Sequence, residues 1–281
     1  MVRITRFAPS PTGYLHRGHA FSALTAEASA RAAGGRFLVR IEDIDQVRCA
    51  PKFETAILED LAWLNLAWET PIRRQSDHLE AYRAALRRLR DQGVLYRCFR
   101  TRAEILSQIG AAPHGSTADR PLGPLDLEDE AERLAAGAPF AWRLSLDIAE
   151  QRLGGFDSLT FEAREGLDPE TSRRIAADPR PSGDIIVARK DLGVSYHLAV
   201  VVDDAAQGVT EVVRGEDLLA ATPVQRLLQA LLGLPTPAYR HHRLILRPDG
   251  QRFAKRDTAE TLRDLRARGV TAEALRRDLG F

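Results

Sequence analysis

Only two cysteines, Cys49 and Cys98, occur in 281 residues. They are too few for a disulfide framework or an all-cysteine zinc site. Lysine is nearly as scarce: Lys52, Lys190 and Lys255 stand against an abundance of arginine. The N-terminal stretch MVRITRFAPSPTG has no apolar core of signal-peptide length. Apolar runs such as Leu198 to Val202 fall far short of a bilayer span. A large charge of one sign is also missing, since the net charge is +1. That excludes an overtly basic nucleic-acid binder but not a basic face hidden in a neutral total. Internal repeats and low-complexity tracts are absent. The expectation is a soluble cytoplasmic protein, with no membrane association and no evident obligate protein partner. With 44% apolar side chains, the chain can build one large domain or two unequal ones.

The order of elements points to an α/β class. Residues 3–8 predict a short strand, which PSPTG breaks into a loop. An alanine-rich helix from about His19 to Ala33 closes at Gly34-Gly35. Arg36 to Ile41 predicts the next strand, ending in the acidic cluster Glu42-Asp43-Ile44-Asp45. Pro51 then suits the first turn of a helix running to about Leu64. This is βαβ order, which implies a parallel sheet with right-handed crossovers. A further helix fits Asp77 to Gln92. Strands are expected at 138–148, 156–162, 184–188 and 195–202, then a strand and a helix within 211–234, and two short helices in 259–281. Residues 111–125 and 177–184 are rich in turn formers. The expected organisation is a Rossmann-type catalytic domain (1–95 and 185–240), an inserted α+β subdomain (96–184), and a loop with a short helical tail (241–281).

Two stretches carry phosphate chemistry. In an open parallel sheet, ligands sit beyond the carboxyl ends of the strands. The loop PSPTGYLHRGHA delivers His16, Gly18 and His19 there, into the start of a helix. A helix N-terminus offers unpaired N–H groups and partial positive charge to a phosphate. Gly18 permits close backbone approach, and His16 and His19 can donate to phosphate oxygens. Taken alone, the turn also fits a polar surface loop; the strand before it and the helix after it favour the phosphate reading. The second stretch is RPDGQRFAKRDT (247–258), where Arg252, Lys255 and Arg256 follow an Asp-Gly turn. Lysine is rare in this chain, and its compact charge suits a phosphate.

A pocket for an acidic ligand is also legible. Arg6 ends the first strand and Arg214 follows the strand residues 211–213. Two guanidinium forks converging on a rim suit a ligand carboxylate. Glu42 can accept from an ammonium group, and Tyr196 can line the pocket. Asp203, Asp204, Glu216 and Asp217 could cap turns or hold a ribose.

These residues bring out a resemblance. FAPSPTGYLHRGH resembles the "HIGH" region of class I aminoacyl-tRNA synthetases in the form used by glutamyl- and glutaminyl-tRNA synthetases. RFAKRD resembles their "KMSKS" loop, with Lys255 at the second lysine, Arg252 in place of the first and Ala254 at the small position. SYHLAVVVDDAAQGVTEVVRGEDLL (195–219) is similar to the family's central block. The resemblance implies an ATP site at Pro9, Ser10, Gly13, His16, Gly18, His19 and Lys255, with His16, His19 and Lys255 catalytic. It implies a glutamate site at Arg6, Phe7, Ala8, Pro9, Ser10, Glu42, Tyr196 and Arg214. Magnesium would accompany the nucleotide.

Only about 25 residues follow Lys255, so no anticodon-binding domain is expected. In this the chain resembles the shortened paralogs, the glutamyl-Q tRNA(Asp) synthetases. Those activate L-glutamate without tRNA and transfer it to the queuosine base of tRNA(Asp). Many members carry zinc in the insertion, yet here Tyr96-Arg97-Cys98-Phe99-Arg100 has arginine at the second cysteine position. No cysteine follows Cys98, and nothing in the spacing of His114 or Asp119 supports a site. Zinc is therefore not expected. Three alternatives remain: a shortened enzyme charging a tRNA acceptor end, a nucleotidyltransferase, and a catalytically idle tRNA-binding module.

Overall fold

The computed structural model describes residues 2–100, 123–165, 171–190, 193–245 and 260–281. Strand β1 (Ile4–Phe7) leads through α1 (Arg17–Ala32) to β2 (Arg36–Ile41), which pairs with it in parallel. The turn between α1 and β2 needs glycine. A Cβ on Gly35 would stand 2.0 Å from the Arg3 carbonyl oxygen, so only a bare backbone can pass there. Helix α2 (Pro51–Trp63) starts on proline, whose missing N–H costs nothing at a first turn, and leads to the short parallel strand β3 (Arg73–Arg74). A 3₁₀ turn (Gln75–His78) and helix α3 (Leu79–Asp91) then cross to the other face.

Strand β4 (Leu95–Cys98) opens a second, antiparallel sheet in the order β4, β5 (Ala141–Leu144), β8 (Ile185–Arg189), β9 (Gly193–Val194). Between them lie α4 (Leu127–Ala135), α5 (Leu146–Leu153) and the hairpin β6 (Thr160–Arg164) and β7 (Ser172–Ala176). Helix α6 (Tyr196–Ala206), β10 (Glu211–Gly215), α7 (Thr222–Leu232) and β11 (Ala238–His242) return to the first sheet, and α8 (Leu262–Ala267) and α9 (Ala272–Leu279) follow. Although β6 and β7 lie inside the 96–184 stretch, β6 pairs with β11 at Tyr239 and Ala163.

The free edge of β1 meets β10. Ile4 N–H donates to Thr210 Oγ1 (2.8 Å), Thr210 N–H donates to Ile4 O (3.0 Å), and further on Arg6 reaches Val213 O (3.3 Å). The spatial order is thus β3, β2, β1, β10, β11, β6, β7, with the chain leaving β1 to one side first and the other later. That reversal opens a crevice at the carboxyl ends of β1 and β10.

Alternation along the strands divides the core in two. Leu38 and Val212 face a cluster with Tyr82, Leu89, Leu198, Val201 and Leu227, while Val39 and Val213 face Phe21, Leu24, Ile57, Leu262 and Leu275. Helices α3, α6 and α7 therefore cover one face, and α1, α2, α8 and α9 the other. The α/β architecture with a Rossmann-type parallel sheet is as the sequence implies.

Two local expectations are overturned. Residues 195–202, expected as a strand, form the start of α6. Ser195 caps it by accepting from Leu198 N–H, and the helix buries Leu198, Ala199, Val200, Val201, Asp203 and Asp204. A helix buried on most sides loses the 3.6 period, and its valine run then imitates a strand. In 138–148 only Ala141–Leu144 is strand, because Ser145 caps α5 by accepting from Ile148 N–H.

Candidate active site

The HIGH-like turn is organised by helix capping. His16 is the N-cap of α1, with extended backbone (φ −129°), and its Nδ1 accepts from Gly18 N–H at 3.1 Å. His19 Nδ1 accepts from His16 N–H at 3.2 Å. This is the reciprocal arrangement that Ser and Glu make in a capping box, built here from two imidazoles. A ring nitrogen that accepts carries no proton, so the neutral rings hold theirs on Nε2. The rings lie 3.8 Å apart between centroids. Gly18 makes room for this, since a Cβ there would come within 3.1 Å of His16 Cε1.

The turn is tied down at both ends. Glu42 N–H donates to Pro9 O (3.0 Å) and Ala50 N–H to Pro11 O (3.0 Å), joining the PSPTG loop to the end of β2 and the start of α2. On the other side Leu262 N–H donates to Leu15 O (2.8 Å), and Thr261 pairs with His16 as an antiparallel bridge. Phe7 and Pro9 are buried, while Ala8, Ser10 and Gly13 are half-buried along the rim. Lys255, Arg252, Ala254 and Arg256 lie outside the described residues, as do His114 and Asp119.

Beneath the crevice sits a lattice of buried charge that joins Arg6 and Glu42, read from the sequence as glutamate-site residues, to Arg40, Asp203 and Asp204. Arg40 is fully buried and donates to Asp204 (2.7 Å), Glu42 (3.1 Å) and Gln207 (3.0 Å), with Asp203 at 3.7 Å. Arg6 donates through Nε to Asp204 (2.9 Å) and through Nη1 to Val213 O (3.3 Å). Asp203 accepts in addition from Arg73 (2.7 Å), Gln75 (2.8 Å) and the Tyr82 hydroxyl (2.8 Å). Burial pushes the Asp204 carboxyl up, but Arg6 and Arg40 together hold it below the ordinary carboxylate range. Burial wins at Glu42, whose carboxyl stands above its ordinary value despite Arg40 and Arg6. Asp203 and Asp204 thus fix the arginines rather than standing open to a ribose.

Arg214 differs from these arginines. It is 5% exposed, and its partners are all neutral: Gln225 Oε1 (2.7 Å), Thr222 Oγ1 (2.8 Å) and His241 Nε2 (3.3 Å). Among the described residues no carboxylate pairs with it. Burial first, and the Arg214 charge second, push His197 and His241 down to about 4, so both stay neutral near neutrality. Although 38% of Tyr196 is open to the cleft, its phenol is held above the ordinary value. Lost hydration is the first cause and the Glu42 carboxylate the second; Arg214 and Arg6 pull the other way. The Tyr196 phenol thus feels the charges of Glu42, Arg214 and Arg6 together.

Sequence reading missed Arg40, Thr222, Gln225 and His241. Arg40 had one signal, a charged residue at an inward position of an otherwise apolar strand; the others lie on α7 and β11 with no motif to mark them. Among the described residues no three carboxylate, histidine or cysteine side chains are grouped to hold a metal ion. The Tyr96 hydroxyl donates to Asp184 (2.8 Å), and Cys98 is buried and unbridged. No helix of the described residues is long and apolar enough to cross a membrane.

Comparison with known proteins agrees with this geometry. Residues 1–280 match the family described as tRNA synthetases class I (E and Q), catalytic domain. A glutamyl-Q tRNA(Asp) synthetase of Rhodobacter capsulatus is 47% identical, covering 99% of this chain and 100% of its own. One from Nocardia farcinica is 45% identical over 95% of this chain and 80% of its own. Among solved structures, a glutamate tRNA ligase from Elizabethkingia meningosepticum, in complex with its amino acid, superposes with a TM-score of 0.69 at 26% identity. That match covers 96% of this chain but only 53% of the ligase, so the chain spans about half the length of that structure. The capped histidine turn, the crevice it faces and the match along the whole chain place this protein in the class I tRNA synthetase family of the E and Q type.

Proposed function

We propose that this protein uses ATP to activate L-glutamate without tRNA and transfers it to the queuosine base at the wobble position of tRNA(Asp). The observation that carries the choice of amino acid is Arg214. A buried cation with only neutral partners is costly unless a ligand completes it. The side-chain carboxylate of glutamate supplies that missing charge. Glu42, whose charge is felt at Tyr196, is the acceptor for the α-ammonium group.

In the first step an oxygen of the glutamate α-carboxylate attacks the α-phosphorus of ATP. The bond from that phosphorus to the bridging oxygen breaks, and pyrophosphate leaves with the electron pair. Catalysis here is positioning and charge stabilisation. The His16 and His19 Nε2–H groups and the N-terminus of α1 are the donors for the developing charge, and Lys255 is the proposed cation for the pyrophosphate. Magnesium would accompany the triphosphate and lend positive charge to its oxygens. In the second step a hydroxyl of the modified base attacks the acyl carbon, AMP departs, and the hydroxyl proton is released. The acceptor is supported by the shared name of the two relatives matched along nearly the whole chain.

Glutamate-dependent ATP–pyrophosphate exchange without tRNA tests the first step, and its absence refutes activation. Labelled glutamate is expected only on tRNA(Asp) that carries queuosine. Label on unmodified tRNA would instead select the charging of an acceptor end.

A further inference from the structure

The neutral shell around Arg214 has a role of its own. Each arginine of the neighbouring lattice is matched by a carboxylate, so the fold does not avoid burying acids beside arginines. At Arg214 three elements converge with neutral acceptors only. Gln225 and Thr222 lie on α7, His241 on β11, and Arg214 on β10, which pairs with β11 at His241. Gln225 is 2% exposed, and its Nε2 has no hydrogen-bond partner among the described residues. Burying an unpartnered amide costs free energy. A glutamate at 225 has the same shape, would still accept from Arg214, and would cancel its charge.

We infer that Gln225, with Thr222, is a specificity-determining residue that holds the Arg214 fork by neutral bonds and so keeps its charge for an acidic ligand. This rests on the glutamate reading above. A carboxylate at 225 or 222 would complete Arg214 internally and turn the pocket from one that demands an anion into one that repels it. Thr222 begins α7 and is fully buried, so an aspartate there would sit in a first turn, where negative charge is favoured. His241 belongs to the same shell: its Nε2 accepts from Arg214 and lies 3.1 Å from Thr222 Oγ1.

The test compares Gln225→Glu, Gln225→Met and Thr222→Asp by ATP–pyrophosphate exchange, with glutamate and glutamine as alternative substrates, and by thermal unfolding. Gln225→Glu is expected to raise KM for glutamate about 100-fold or more, the effect of losing one buried ion pair, with kcat far less affected. Its melting temperature should equal or exceed that of the natural protein, and its preference for glutamate over glutamine should collapse. Gln225→Met leaves the Arg214 charge uncompensated and should raise KM only several-fold, with the preference retained. Thr222→Asp should repeat the Gln225→Glu result, and it decides the matter should Gln225→Glu fail to fold. Equal effects from Met and the acidic substitutions would reduce the role to geometry and overturn the inference, as would a natural KM in both acidic variants. If the natural protein shows no glutamate-dependent exchange, the glutamate reading falls and this inference with it; exchange in the natural protein with unaltered acidic variants removes this inference alone.

Discussion

Two groups of buried arginine lie on neighbouring strands of the parallel sheet, Arg6 and Arg40 on β1 and β2 and Arg214 on β10. Arg6 and Arg40 are closed in on themselves, sharing Asp204 and drawing on Glu42 and Asp203. Arg214 is held just as firmly but by an amide, a hydroxyl and an imidazole. The first group behaves as structure: its charges cancel, and the cost of burying them is met inside the protein. The second behaves as a receptor: its charge is positioned but left uncancelled. Burial alone would not separate the two, and neither would hydrogen-bond count. The sign balance of the partners does.

Breaking the lattice should cost stability, and breaking the receptor should cost function. Asp204→Asn keeps the shape of the lattice but strands Arg6 and takes from Arg40 the nearest of its carboxylates, and is expected to destabilise the fold by about 3–5 kcal/mol, read as a lowered midpoint in urea. Arg214→Gln should do the opposite. Its melting temperature is expected to hold or rise, while kcat/KM for glutamate in exchange falls by about 10²–10³-fold, the loss of one buried charge pair. If Arg214→Gln instead unfolds the protein and Asp204→Asn does not, the two groups have been assigned the wrong way round.

The same logic reaches the histidine turn. Asparagine is a good N-cap, so His16→Asn should preserve α1 while removing the Nε2 donor. Exchange is expected to slow by about 100-fold, with helix content by circular dichroism unchanged. The smallest effect concerns pH. His241 is neutral in the fold to about pH 4 but titrates at 6.5 when unfolded. Its contribution is therefore present above 6.5 and lost as pH falls toward 4, because the unfolded state gains the proton first. The ring is half-buried, so a discounted loss of about 1 kcal/mol is expected over that window. His241→Gln should flatten the acid limb of stability by that amount.

Much of this is legible in the sequence. Arg6 and Arg214 could be placed together because each ends or follows a strand, and strand ends in a parallel sheet share one rim. His16 and His19 could be placed because a proline-glycine loop ran into an alanine-rich helix. Their capping geometry was not legible, since histidine is not a usual N-cap and only the backbone shows Nδ1 facing Gly18. Helix α6 was misread because its valines are buried on nearly every side, which erases the period that distinguishes helix from strand. The neutral shell was invisible for another reason. Thr222 and Gln225 on α7 and His241 on β11 follow Arg214 within one β–α–β unit, but a residue whose importance lies in lacking a charge leaves no mark in a charge pattern.

The bond from Leu262 N–H to Leu15 O, with the bridge from Thr261 to His16 beside it, has a consequence for how the molecule opens. It sews the segment carrying α8 and α9 to the loop before α1, across almost the whole length of the chain. Thr261 and Leu262, at the start of α8, are therefore held against the very turn that carries His16. The two strands of that seam should act as one cooperative unit, and amide hydrogen exchange at Leu262 and Ala20 should report a single shared opening event rather than independent fraying.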